Sequence, residues 1–353
     1  YDSKHSLQWA REQVLEFKAL VKKGIDPRDH KTKEQESARQ ANNLNKNTFQ
    51  KVAKNYIAEN QSSWRSDVTK KQWPNSLRDY VYPIMGSKPV HLITIHDVLS
   101  VLRPIWSEKT TTATRVRSRI ENILDYATTL EMRQGNNPAI WRGNLSKVLP
   151  APKKVHKIKS HSAVSYTELH GFLMELRKRK GVGARALEFT ILTGSRTRPL
   201  LLAKWEDIDF DNAIWNCPED NMKSGNFFRI PLSEPAMNII SSQKKYSRGD
   251  YIFGHEQTGK KSSNNCMLYT IYRMGYRGKV TTHGMRSTMR DWAGETTKYS
   301  ERIVEVCLDH TVNTANQAAY QRGDYLIKRR EIMDGWGRFC YPSENKVIHI
   351  RKR

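Results

Sequence analysis

Cysteine is scarce in this chain. Four occur in 353 residues, Cys217, Cys266, Cys307 and Cys340, far apart, with no CxxC pair and no histidine cluster. That spacing excludes a zinc module and a disulfide framework, and a reducing, cytoplasmic setting is the simple reading. Acidic residues are also few: 36 Asp plus Glu stand against 60 Lys plus Arg, a formal net charge of +24 with a pI near 9.9. An excess of that size favours a polyanionic partner, either nucleic acid or an anionic membrane surface. Long apolar runs are missing. None approaches the roughly 20 residues of a membrane span, and the first residues show no charged-then-apolar leader. The hydrophobic fraction, 37%, is low but sufficient for packed cores, and the length suits two or three domains.

What is present begins with a helix over residues 7–23, where Ala10, Val14, Phe17 and Val21 share a face and Gly24 stops the run. The chain opens abruptly at Tyr1, close to that helix, so we expect the native N-terminus to have been trimmed. A polar, charged stretch follows and reads as a linker or a solvated helix. Thr48 caps a helix carrying Phe49, Val52, Ala53 and Tyr56, and a second, roughly 66–82, carries Trp73, Leu77, Tyr80 and Val81. After the short extended HLITI, Thr94 caps a third helix. A fourth, about 110–132, places Val116, Ile120, Ile123, Leu124 and Ala127 at helical spacing. Lys70, Lys71, Lys109, Arg115, Arg117 and Arg119 lie along this region. As a group they suit phosphate contacts, although solvated helix faces account for many such residues. Residues 143–163 hold prolines and lysines without periodicity and read as the interdomain linker. Lys153, Lys154, Lys157 and Lys159 there could follow a DNA backbone, or the segment could be a plain tether.

The second half starts with helices over 166–179 and 183–193, and TRPLLLAKW continues as a third. AIWNCP, NFFRIPL and YIF read as short strands, with MKSGN as a hairpin turn. Helices return over 234–245, 263–274, 284–293, 300–308, 313–320 and 325–337. The expected fold class is mainly α with a small antiparallel β-sheet.

The chemistry concentrates in TTHGMRSTMRDWAGETTKYSERIVEVCLDHTVNTANQAAY, residues 281–320. His283 and Arg286 are three residues apart and so share a helical face. His310 and Tyr320 follow, while Arg196 (TGSRTRPLLLAKWEDID) and Lys223 (MKSGNFFRIPLS) add two cations upstream. Phosphodiesters resist attack because the anion repels nucleophiles, and fixed cations aimed at the non-bridging oxygens lower that barrier. Arg196 and Arg286 fit that task, since a planar guanidinium binds two phosphoryl oxygens at once. Tyr320 is the nucleophile expected and Tyr325 its competitor by spacing. Lys204 and Lys244 are the competing lysines.

The ordered series Arg196, Lys223, His283, Arg286, His310, Tyr320, with the flanking words LTGSR, WEDID, THGMRSTMRDW, CLDHTVN, AAYQR and RREIMDGW, resembles the active-site positions of tyrosine recombinases, the phage integrase family. The wording is nearest the satellite-phage and genomic-island branch, and the likeness spans the second half closely and the rest more loosely. The resemblance implies a C-shaped clamp with the following parts: a remnant of an arm-type DNA-binding domain with its linker (1–45), a helical, SAM-like core-binding domain (46–142), the linker (143–163), a catalytic domain (164–340), and a tail (341–353) that docks on a neighbouring protomer. Deletion of residues 343–353 is then expected to alter cooperativity or synapsis, and an unchanged recombination rate would refute the docking.

In this reading Tyr320 forms a 3′-phosphotyrosyl link, and the link keeps the phosphoester energy for resealing without ATP. Lys223 acts as general acid for the leaving 5′-oxygen. His283 and His310 orient phosphate oxygens, and one of them helps accept the tyrosine proton. No cofactor is required. The implied partners are double-stranded DNA attachment sites, three further protomers in a homotetramer, a DNA-bending host protein and an excisionase, at the bacterial nucleoid and without a membrane. Two positions depart from the family pattern: Pro199 stands where R-x-x-E places an acid, and Phe228 where many relatives have histidine. A type IB topoisomerase and a catalytically weakened integrase acting only as a DNA-binding protein are the alternatives.

Overall fold

A computed structural model describes residues 6–64, 66–156, 162–310 and 323–342. It divides into two compact units, residues 1–158 and 159–353.

The first unit is helical. α1 (Leu7–Lys22) starts where Ser6 Oγ accepts from the Trp9 amide at 3.1 Å, and none of its residues is buried. The apolar face expected there forms, but it stays exposed: Val14 is 50% and Val21 62% accessible. The polar stretch after it is α2 (Pro27–Asn45), with Asp26 as its cap and Pro27 at the first helical position, where a missing N–H costs nothing.

α3 (Phe49–Asn60) begins the packed part. α4 (Asp67–Ser76) runs through a π-helical turn at Leu77–Val81 into α5 (Tyr82–Met85), with Pro74 and Pro83 along the way. A proline inside a helix removes a hydrogen bond and crowds the preceding turn, which is where such irregular turns occur. α6 (Ile95–Trp106) is fixed at its start by Asp97, whose carboxylate accepts from both the amide and the hydroxyl of Thr94 at 2.8 Å and pairs with Lys88. α7 (Thr110–Thr129) completes the core. Phe49, Leu77, Leu102, Ile120 and Ile123 are fully buried in it.

The first half of the expected linker belongs to this core. Leu145 and Leu149 are buried, and Trp106 Nε1 donates to the Pro150 carbonyl at 2.9 Å. α8 (Pro152–Val155) follows, and residues 157–161 lie outside the described residues. Lysine content and weak periodicity hid the two leucines that dock this stretch.

The second unit is helical around a small sheet. α9 (Leu169–Arg177), α10 (Val182–Thr193) and α11 (Thr197–Leu202) come first. The antiparallel strands β1 (Ile208–Asp209), β2 (Ile214–Cys217) and β3 (Phe228–Pro231) are ordered β1-β2-β3, with Asp209 opposite Ile214 and Cys217 opposite Phe228. The third strand expected at YIF is absent from this sheet. Ile208–Asp209 takes the edge, and Tyr251 makes an isolated bridge to Lys204, with Ile252 donating to the Ala203 carbonyl. In WEDID the first three residues form a 3-10 turn and the last two, Ile208 and Asp209, pair with β2. α12 (Glu234–Gln243), α13 (Cys266–Arg273), α14 (Gly284–Thr296), α15 (Glu301–Cys307) and α16 (Leu326–Cys340) follow.

α16 is tied to the buried α10 by Trp336, fully buried, with Nε1 donating to the Ile191 carbonyl at 2.8 Å and its ring stacked on Phe339. Among the described residues no helix is long and apolar enough to cross a membrane.

Candidate active site

Four elements of the second unit converge on one pocket. α10 ends at Gly194, whose φ of +59° lies in the left-handed region; a Cβ there would meet Leu308 Cδ2 at 2.8 Å. Glycine therefore lets the chain turn and pass close to the α15 end. Arg196, in extended conformation as the cap of α11, points from this turn into the site. Arg286 comes from the first turn of α14 and is 3% exposed. His310 follows directly after α15.

The stretch Leu308–Asp309–His310 links the two guanidinia. Arg196 Nη1 donates to Asp309 Oδ2, and Nη2 to the Asp309 carbonyl at 2.8 Å. Arg286 Nη1 donates to the Gly194 carbonyl and Nη2 to the Leu308 carbonyl, with His310 Nε2 3.0 Å from Nη2. Burial pushes the Arg286 guanidinium down to about 10. Repulsion from Arg196 acts in the same direction, and the charges of Asp309 and Glu305 oppose it. It remains cationic at neutral pH, at a cost that a bound anion would offset.

On its far side His310 Nδ1 bonds Glu305 Oε2, and Glu305 Oε1 accepts from Arg290 Nε. Burial raises the Glu305 carboxyl, but the hydrogen bonds from His310 and Arg290 outweigh it and hold the group below its ordinary value. A carboxylate at Nδ1 makes that nitrogen the N–H and leaves Nε2 to face Arg286, so Glu305 sets the histidine's tautomer.

Arg196, Arg286 and His310, three of the residues expected from sequence, are thus brought together. His283 is exposed at the cap of α14, one turn before Arg286. Lys223 is exposed in the connection 218–227; the neighbouring Met222 lines the same pocket as Arg196, Arg286 and Asp309, and Arg198 Nη2 ties that connection to α11 through the Asp220 carbonyl at 3.1 Å. Tyr320 lies outside the described residues. Tyr325 packs against the core at the start of α16. Lys204 pairs with Glu206 at 3.0 Å and Lys244 lies over the Phe210 ring, so both competing lysines have local roles. Phe228 covers the buried Arg329 guanidinium, 4.3 Å from the ring centre.

In the first unit Lys70, Lys71, Lys109, Arg115, Lys153 and Lys154 are exposed. Two of the expected phosphate contacts are not available there. Arg119 is 9% exposed, donates to the Gln72 carbonyl and Ser76 Oγ and stacks on Trp73; Arg117 pairs with Glu121 and the Ala139 carbonyl. Arg119 is buried on α7, and Arg117 beside it is largely shielded by its partners. Lys157 and Lys159 lie outside the described residues.

Glu305, Asp309 and Arg290 were not anticipated from the sequence. The available signal was an acid directly before His310, inside the quoted CLDHTVN.

A mainly helical unit that brings two arginines to one pocket, with a histidine beside them, offers donors suited to an oxyanion such as a phosphodiester. Residues 166–324 match the phage integrase family, and residues 49–144 the phage integrase central domain. The chain is 29% identical to the prophage integrase IntZ of Escherichia coli K12 over 94% of its own length and 80% of that protein's. It is 27% identical to the integrase of Enterobacteria phage P4 over 98% and 80%. Its fold is similar to that of a lambda integrase dimer bound to a COC′ core site (TM-score 0.61, 17% identity, 76% of this chain and 96% of that one). It is likewise similar to the Tn1549 transposon integrase in complex with a circular intermediate DNA (TM-score 0.59, 15%, 76% and 98%). The chain belongs to the phage integrase family.

Proposed function

We propose that this protein is a tyrosine-type site-specific recombinase that integrates and excises a phage or genomic island by cutting and rejoining duplex DNA. The observation that carries the reading is the joint anchoring of Arg196 and Arg286 on Leu308–His310, a dicationic pocket within one segment of chain from Tyr320. Two guanidinia there can grip the non-bridging oxygens of one phosphodiester and neutralise charge as it builds in the pentavalent transition state. Tyr320 attacks in line, forming a bond from its phenolic oxygen to phosphorus while the bond to the 5′-oxygen breaks. Lys223 gives that oxygen its proton, and His310, with Nδ1–H held by Glu305, presents Nε2 as an acceptor for the tyrosine proton. His283 is assigned to the same phosphate.

The 3′-phosphotyrosyl link is then attacked by another 5′-hydroxyl. Four protomers exchange two pairs of strands through a four-way junction, each with both units on the duplex; a DNA-bending host protein and an excisionase set direction. Residues 1–45 are the remnant of an arm-type DNA-binding domain with its linker, 46–142 the core-binding domain and 164–340 the catalytic domain, and the tail 341–353 docks on a neighbouring protomer. The exposed Lys70, Lys71, Lys109, Arg115, Lys153 and Lys154 contact DNA phosphates, together with Lys157 and Lys159.

The experiment is a nicked duplex of the protein's own attachment site, incubated with protein and run on a denaturing gel. A covalent adduct that disappears in Tyr320→Phe is the expected result. Duplex binding with no adduct would instead mean a DNA-binding protein without cleavage activity.

A further inference from the structure

We infer that Asp309 is a positioning residue for strand cleavage: its carboxylate is the resident counter-ion that holds Arg196 beside Arg286 and aims the Arg196 fork into the pocket. The inference rests on the recombinase reading and adds a residue to that site. Three observations lead to it. Arg196 is held at both terminal nitrogens by Asp309, once by the side chain and once by the carbonyl. The pair is largely shielded from solvent, with side-chain exposures of 23% and 14%.

Secondly, Asp309 has φ +51°, in the left-handed region that glycine occupies without steric penalty. A carboxylate sits at a left-handed position, one that aspartate adopts more readily than most side chains, and it points at an arginine. Thirdly, the nearest turn of α11 supplies no acid. Position 199, one turn on from Arg196 and lining the same pocket, is the buried Pro199.

Two guanidinia anchored on one three-residue stretch repel each other, and the repulsion is largest where burial lowers the local dielectric. Asp309 offsets it from the Arg196 side. A guanidinium carries five N–H groups, and Asp309 uses one on each terminal nitrogen, so the others stay available to phosphoryl oxygens.

Asp309→Asn, Asp309→Gly and Asp309→Glu separate this role from a backbone one, because the two orders of severity are opposite. A counter-ion role demands charge. Adduct formation on the nicked attachment-site duplex should fall at least 10-fold at saturating DNA in Asn and Gly, and recover substantially in Glu, with duplex affinity and folding unchanged. A role in the left-handed turn alone predicts that Asn and Gly, which tolerate that conformation, cleave like the parent while Glu fails. That order overturns the inference, as does loss of cleavage in all three variants together with duplex binding. A parent protein that forms no adduct overturns the recombinase reading and this inference with it, whereas an adduct intact in Asp309→Asn overturns the inference alone.

Discussion

At the residue scale the pocket's properties come from placing cations where water is scarce. Replacing either Arg196 or Arg286 by Ala removes a preorganised donor to developing charge, for which losses of about 10²–10³ are usual. Single-turnover adduct formation should fall by that factor while duplex binding in a gel-shift assay persists. Because the charged form of Arg286 is the active one and its guanidinium is held down to about 10, cleavage should also decline as pH rises through that value. Glu305→Gln keeps the size of the side chain but loses the charge that makes His310 Nδ1 the donor. We expect a drop on the order of 10-fold or more in the cleavage rate, measured on the same gel, with the melting temperature little changed.

At the scale of elements, buried ion pairs fasten the last helix to the rest of the second unit. Glu188 on α10 is fully buried and meets Arg177 at 3.1 Å, Arg185 at 2.6 Å and the Tyr341 hydroxyl. Burial and the Glu188 charge raise the Tyr341 phenol well above its ordinary value, so it stays a donor. Glu188→Ala would remove the shared partner of two half-buried arginines that keep carbonyl acceptors, and should cost about 1–3 kcal/mol in a denaturant titration.

A second fastening joins β3 to α16. Arg229 reaches both Asp324 oxygens at 3.0 Å, and Arg329 donates to the Asp324 carbonyl at 3.3 Å. Burial would raise the Asp324 carboxyl, but the hydrogen bonds from Arg229 and the charges of Arg229 and Arg329 hold it below its usual value. A carboxyl with a lowered folded-state pKa contributes stability that is complete above its unfolded value of ~3.9 and is lost as pH falls through the folded one. Melting temperatures between pH 2 and pH 6 should therefore fall less steeply on the acid side in Asp324→Asn than in the parent.

At the scale of the whole molecule, +24 of net charge makes duplex binding strongly salt-dependent. Each phosphate neutralised adds roughly −0.9 to the slope of log affinity against log salt. Lys153→Ala, in the exposed α8, should flatten that slope by about 1 and weaken binding similarly on any sequence, as read by fluorescence anisotropy across a salt series.

By itself the sequence determined what short-range physics controls. Apolar spacing set the helices of both units, Thr94 marked the start of α6 and Asp97 closes its cap, and the ordered cations beside Tyr320 announced phosphoryl chemistry. Three features waited for the tertiary structure, because each depends on partners distant in the chain. Leu145 and Leu149 are a linker until a core is there to receive them. Arg117 and Arg119 are phosphate contacts until the fold supplies the partners that shield them. Asp309 is one more acid until the fold carries it against Arg196, 113 positions earlier in the chain, where its charge offsets the repulsion between two arginines.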